Sequence, residues 1–141
     1  MTLNVTPTDA NKALVRRAIG YNHGTAEDAT EIFAPDFVAY MPGVPPMDRA
    51  AFEHFVGGFG VGFPGYTYEI RDQIAQGDIV VNRVTWRGVH GGEFAGVPAT
   101  GRPIELSGIN MFKVKDGRVV EQRAELDIFG LLQQIGAIPP A

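Results

Sequence analysis

The second half of the chain alternates between apolar and polar residues, and this alternation constrains the fold more than any other feature. It runs through four long segments, residues 66–75, 78–90, 103–115 and 118–127. Glycine-containing turns separate the segments, the tightest of them at Asp116-Gly117. Because successive side chains of a strand point to opposite faces of a sheet, the pattern predicts four long antiparallel strands.

Helical patterns dominate the first half of the chain. The first predicted helix begins at Thr6, which can cap it, and stops at Gly24. A short second helix is expected to open at Thr25 and to end at Pro35. A third helix is expected to begin at Asp48 and to bury an apolar stripe on one face.

The order of these elements predicts the fold class. Residues 37–41 indicate a short strand, residues 42–47 a loop because prolines cannot donate to a ladder, and a short helix closes the chain. Helices followed by antiparallel strands predict the α+β class, with a strongly curved sheet wrapped around the N-terminal helices. A chain of 141 residues, 45% of them hydrophobic, suits a single domain spanning residues 1–141. We expect a pocket between the two layers.

Composition excludes several classes of function. The formal net charge is -4 and no run of Lys or Arg occurs, so nucleic acid is not an expected partner. The absence of cysteine excludes disulfides and thiolate nucleophiles. The start of the chain has no apolar leader, and no apolar run approaches the roughly 20 residues that a membrane span requires. We therefore expect a cytoplasmic protein without a membrane partner.

Motifs for cofactors and metals are weak. The run GVGFPG at residues 60–65 satisfies a dinucleotide-binding pattern only formally, because no strand precedes it. The three histidines are scattered without metal-ligand spacing. Ser107, the only serine, does not lie in a nucleophile elbow. We therefore expect neither a cofactor nor a metal.

Asp127 lies where the last predicted strand gives way to the closing helix. Alternation places Glu121, Arg123, Glu125 and Asp127 on one face of that strand. This charged face either meets solvent, as such faces usually do, or lines the pocket. Spacing alone leaves both possibilities open.

Four short motifs point to a known family. They are G-x-H-x-G-E-F-x-G at residues 88–96, P-x-T-G at 98–101, D-G at 116–117 and D-x-x-G-L-L-x-Q-[LI]-G at 127–136, supported by YNHG at 21–24. Together they resemble the SnoaL-like polyketide cyclase family, also known as predicted ester cyclases, of the nuclear transport factor 2-like superfold.

The resemblance implies a cone-shaped α+β barrel, dimeric or tetrameric, that holds a small or medium apolar carbonyl substrate without a cofactor. In such cyclases an aspartate matching Asp127 removes an activated α-proton, and the carbanion closes a ring by aldol addition. An apolar pocket would raise the pKa of this carboxylate and strengthen it as a base.

The resemblance also suggests further site residues. Asn110 occupies a strand where family cyclases carry histidines, and it can donate a hydrogen bond to an oxyanion. Arg123, at a position where many relatives carry tryptophan, would lower the pKa of Asp127 if it faced inward. The remaining candidates for substrate contact, each also explicable by packing, are Tyr21, Tyr40, Phe55, Trp86 and His90.

Other functions remain open within the same superfold. An epoxide hydrolase would use carboxylates and an arginine around one water, and Glu125, Asp127 and Arg123 are candidates for those roles. Isomerases and dehydratases of the superfold also use carboxylates in the pocket, so the fold alone does not separate these reactions. The pocket could instead bind a hydrophobic ligand without catalysis.

Overall fold

The structure, a computed structural model, describes residues 6–140 and places four helices and six strands in them. In chain order these are α1 (Pro7–Asn22), α2 (Ala29–Ile32), β1 (Phe33–Met41), β2 (Val44–Met47), α3 (Arg49–Gly62), β3 (Thr67–Gln76), β4 (Ile79–Val89), β5 (Pro103–Lys115), β6 (Arg118–Leu126) and α4 (Ile128–Gln134).

All six strands form one curved, unclosed sheet in the order β2-β1-β6-β5-β4-β3. Neighbouring strands are antiparallel except β1 and β6, which pair in parallel. The predicted α+β class and its four long antiparallel strands are therefore confirmed. Their registers place alternate residues on the helix side of the sheet.

Local capping explains where the helices begin. Thr6 accepts a hydrogen bond from the backbone N–H of Asp9, and Asp48 accepts one from Ala51 at 2.9 Å, as predicted for these caps. The second helix starts later than expected. Its cap is Asp28, whose carboxylate accepts the backbone N–H of Thr30 at 2.9 Å.

Two predictions about proline were wrong. Residues 42–47 are not entirely a loop, because β2 lies at the edge of the sheet and pairs only with β1. An edge strand tolerates the missing N–H groups of Pro45 and Pro46. Pro35 does not end α2 but lies inside β1, where the register with β6 shifts between Phe33 and Val38.

The core consists of two apolar clusters. The first packs α1, α2 and β1 against the middle of the sheet around Val15, Phe37 and Phe112. The second packs α4 against β4 and β5 around Trp86 and Leu131. Within residues 6–140, no helix combines the length and apolarity that crossing a bilayer requires.

Candidate functional site

A main cavity of about 460 Å³ lies between α3 and the sheet, close to the end of α1. Apolar side chains form most of its wall. Its polar lining residues are Asn22, His23, Glu93, Asn110 and Gln122. Among the described residues that line it there is no Lys or Arg, so the cavity suits a largely apolar ligand without a negative charge.

Side chains of β6 alternate between the two faces of the sheet, so only every second residue reaches the main cavity. Gln122, Ala124 and Leu126 line it, whereas Arg123 and Glu125 are exposed on the opposite face. The charged alternation seen in the sequence is therefore the solvent face of the strand.

Contrary to the role that the family resemblance implies, Asp127 does not face the main cavity. It is exposed, and its carboxylate accepts the backbone N–H of Gly130 at 3.0 Å as the N-cap of α4. The flanking residues Leu126 and Ile128 line the main cavity, and Asp127 does not. The reason is local: the strand ends at Leu126, and the start of the helix turns the intervening carboxylate toward its own N–H groups.

Two carboxamides present their amino groups to the main cavity. Asn82 of β4 lies directly opposite Asn110 of β5, and its Nδ2 donates to the Asn110 Oδ1 at 2.9 Å. On the next row of the sheet, Gln122 Oε1 accepts a hydrogen bond from Asn22 Nδ2 at 3.4 Å. The Asn110 Nδ2 and the Gln122 Nε2 have no hydrogen-bond partner among the described residues, so both are left as donors for a ligand.

His23 at the end of α1 is held by two partners. Trp86 Nε1–H donates to His23 Nε2 at 2.9 Å, and because an indole nitrogen only donates, Nδ1 carries the imidazole proton. Nδ1–H then donates to the Tyr66 hydroxyl at 2.5 Å. Burial lowers the pKa of His23 from 6.5 to about 4, so the ring is neutral at pH 7. Because the one lone pair of the neutral ring already accepts the indole N–H, His23 is poorly suited to act as a base in this cavity.

Glu93 reaches the rim of the main cavity through a loop fixed to α3. The backbone N–H groups of Gly91 and Gly92 both donate to Gly62 O at 3.1 Å. A side chain at Gly92 would collide with the carbonyl of Val61, so only glycine allows this approach. The adjacent Glu93 is the only carboxylate among the described residues lining the cavity.

A family model, SnoaL-like polyketide cyclase, matches residues 12–135 and so covers most of the chain. The chain belongs to the SnoaL-like polyketide cyclase family. The family's match includes every residue that lines the main cavity.

Solved structures agree with this family assignment. IdmH, described as a candidate polyketide cyclase from Streptomyces antibioticus, is 34% identical over 93% of this chain and 99% of its own, with a TM-score of 0.76. AclR, a candidate hydroxylase from Streptomyces galilaeus, is 26% identical over 95% of this chain and 85% of its own, with a TM-score of 0.84. A SnoaL-like candidate cyclase from Jannaschia sp. CCS1, at 24% identity and a TM-score of 0.81 over 98% of this chain and 100% of its own, shows the shared fold. No curated protein matches the chain.

Three of the residues predicted for the site line the main cavity of this family member. They are Asn110, Phe55 and Trp86. Tyr21 instead lines a second, adjacent pocket of about 340 Å³ that shares Asn22, His23 and Val56 with the first. There the Tyr21 hydroxyl donates to Glu53 at 2.6 Å, and this bond raises the pKa of Tyr21.

The other predicted contact residues lie outside the main cavity. The register of β1 and β6 places Tyr40 beside Arg123, and the Arg123 guanidinium lies 4.1 Å from the centre of the Tyr40 ring. Arg123 also forms an ion pair with Glu121 at 3.2 Å. His90 is fully buried against Phe63, and its Nδ1 accepts the backbone N–H of Thr100. His90 therefore orders the loop after β4 and does not line the main cavity.

The sequence contained signals for the residues that were missed. Gln122 shares a strand face with the apolar Val120, Ala124 and Leu126, and Asn22 follows the apolar Ala18 and Ile19 at helical spacing. Glu93 lies in the G-E-F run shared with the family. For His23 the sequence suggests only a metal ligand, without the spacing that a metal site requires. Within residues 6–140, no three His, Asp or Glu side chains converge as metal ligands would.

Proposed function

We propose that the protein is a polyketide cyclase-type enzyme that closes a ring within a neutral, largely apolar carbonyl compound. The observation that carries this proposal is an apolar cavity with two amide donors on its floor, in a member of the SnoaL-like family. Its apolar walls would hold a flexible substrate folded, so that its two reacting carbons lie close together.

Asn110 and Gln122 act on the carbonyl that is attacked. Their N–H groups donate to its oxygen, and these bonds strengthen as the oxygen becomes an alkoxide. The low polarity of the cavity makes such donors more effective than they would be in water. Because these amide donors are neutral, they polarise the carbonyl group that is attacked without transferring a proton to its oxygen.

Glu93 is the proton acceptor in this proposal. It takes the α-proton between two carbonyl groups, the resulting carbanion attacks the second carbonyl carbon to form the new carbon–carbon bond, and the protonated Glu93 then gives its proton to the alkoxide. His23 is less suitable, because its Nε2 lone pair already accepts the indole N–H of Trp86 and its Nδ1–H is directed at the Tyr66 hydroxyl. Asp127 has the role of a helix cap.

A matched pair of variants tests the assignment of the base. The probe is a β-ketoester that carries a second ketone on a tether long enough to close a six-membered ring. We expect Glu93→Gln to slow ring closure, and α-proton exchange in deuterated water, by about a hundredfold or more. Asp127→Asn should leave both rates unchanged, because Asn caps a helix as well as Asp does. The reverse result would transfer the role of base to Asp127.

A ligand-binding module without catalysis is the second candidate function. It is favoured by one observation: apart from Glu93 at the rim, the polar groups lining the cavity are neutral amides and a neutral imidazole. Tight binding of the ketone probe without any catalysed exchange would establish this alternative. An epoxide hydrolase is less well supported, because no described residue lining the cavity is an arginine.

A further inference from the structure

We propose that Asn82, which does not line the main cavity, is a positioning residue that makes the cavity select hydrogen-bond acceptors over donors. Its role is to hold the Asn110 carboxamide with the amino group toward the ligand. A ketone should therefore bind better than the alcohol of the same shape, because the O–H of the alcohol would find no acceptor at Asn110. This role rests on the proposed function for the choice of ligand, but its test measures binding alone.

The geometry of the pair brings the two buried carboxamides into hydrogen-bond contact. Asn82 and Asn110 are directly opposed in the β4–β5 register, and both are buried, at 0% and 5% exposure. Asn82 Nδ2 donates to Asn110 Oδ1 at 2.9 Å. If the Asn110 carboxamide turned over, its amino group would face the amino group of Asn82. Asn82 thereby prevents Asn110 from offering its oxygen to the cavity.

Only the amino group of the Asn82 side chain is hydrogen-bonded, and its oxygen is not. Its Oδ1 is buried and has no hydrogen-bond partner among the described residues. A buried acceptor without a donor destabilises the folded state, and an apolar residue of similar size would avoid that penalty. The opposite arrangement would instead orphan the Asn82 amino group, and buried N–H groups are left unpaired more rarely than carbonyls. The observed direction is therefore the less unfavourable one.

The unusual residue at this position indicates a role beyond packing. The neighbours of Asn82 on the same face of β4, Val80 and Val84, are fully buried valines in the core clusters. A third apolar residue would continue that surface. The bond to Asn110 is the only described hydrogen bond that the Asn82 side chain makes, so its effect is exerted through Asn110.

Isothermal titration calorimetry with two matched ligands tests this role. The ligands are acetonaphthone and the alcohol formed by reducing its ketone. We expect the unaltered protein to bind the ketone about tenfold more tightly, as one hydrogen bond of ordinary strength implies. In Asn82→Leu the Asn110 carboxamide can turn over, so the ratio of the two affinities should fall to near one. The carbonyl stretching frequency of bound acetonaphthone should rise at the same time.

Controls separate positioning from structural damage. Val80→Ala creates a void in the same strand, and it should lower the melting temperature without changing the affinity ratio. Asn82→Val provides a second variant with the same expected loss of selectivity in case Asn82→Leu does not fold.

Two results would overturn the proposed role of Asn82. One is an unchanged affinity ratio and carbonyl frequency in the Asn82 variants. The other is an unaltered protein that binds neither ligand or prefers the alcohol. Failure of ring closure with ketone selectivity intact would overturn the proposed function alone.

Discussion

At the scale of single residues, the direction of a few hydrogen bonds decides what the main cavity offers to a ligand. The indole of Trp86 can only donate, so the acceptor on His23 is occupied and the proton of that ring is turned toward Tyr66. Asn82 similarly turns Asn110. The cavity is left with amide donors and few free acceptors.

His23 should make the stability of the protein depend on pH. Its pKa is about 4 in the folded protein, compared with 6.5 for an ordinary histidine, because burial disfavours the charged ring. Between these two values the unfolded chain binds a proton that the folded protein does not. Stability should therefore be unaffected above pH 6.5 and fall by about 3 kcal/mol as the pH drops to about 4.

Urea unfolding at a series of pH values checks this dependence. His23→Gln removes the titrating group, so the difference between its stability and that of the unaltered protein should shrink as the pH falls through this range. Equal slopes for the two proteins would show that His23 does not carry the effect. The carboxylates titrate in both proteins, so their contribution cancels in the comparison.

Asp127 should contribute to stability through its cap. Asp127→Ala removes the acceptor for the Gly130 N–H and should cost about 1 kcal/mol in the free energy of unfolding. Asp127→Asn keeps an acceptor and should cost much less. Neither change should alter the affinity for acetonaphthone, since the side chain lies outside the cavity wall. A loss of affinity in both variants would place this carboxylate closer to the ligand than the structure does.

At the scale of elements, α3 lies between the two pockets and contributes glycines to both. Gly58 lines the main cavity, whereas Gly57 and Gly60 line the second pocket. A Cβ added at Gly57 or Gly58 would meet no neighbouring atom within 4 Å. These glycines therefore leave open space on two different faces of one helix.

Substitutions at two adjacent glycines should affect different pockets. Gly58→Leu should fill part of the main cavity and weaken acetonaphthone binding by about tenfold or more. Gly57→Leu should point into the second pocket and leave that affinity unchanged. Replacing either glycine should stabilise the helix by up to about 1 kcal/mol. A difference in affinity between the two variants would therefore not come from a difference in stability. Equal effects on affinity, measured by calorimetry, would show that the pockets do not bind independently.

The elements were more predictable than their contacts. Alternation of period two identified β3 to β6, because a half-buried antiparallel strand imposes that pattern on each residue. β2 was missed because only its place at the edge of the sheet allows two prolines in a strand. That place is set by the pairing of β1 with distant residues, which local composition does not reveal.

At the scale of the whole molecule, the family and the α+β fold could be predicted, but the inward face of β6 could not. The odd and even residues of that strand both form plausible faces, and the choice depends on which side the helices cover. Ala124 faces the cavity and Asp127 faces solvent. The carboxylate that stands out in the sequence therefore caps a helix, while the donors on the cavity floor are amides that carry no charge.

The parallel pairing of β1 with β6 has a consequence for biosynthesis. Val38 pairs with Glu121, so the ribosome must add about eighty more residues before β1 meets that neighbour. At translation rates of roughly 5–20 residues per second, this takes about 4–16 seconds. During that interval the apolar side chains of Phe33 and Phe37 lack their final covering. We therefore expect the nascent polypeptide to be prone to aggregation until its final strand leaves the exit tunnel.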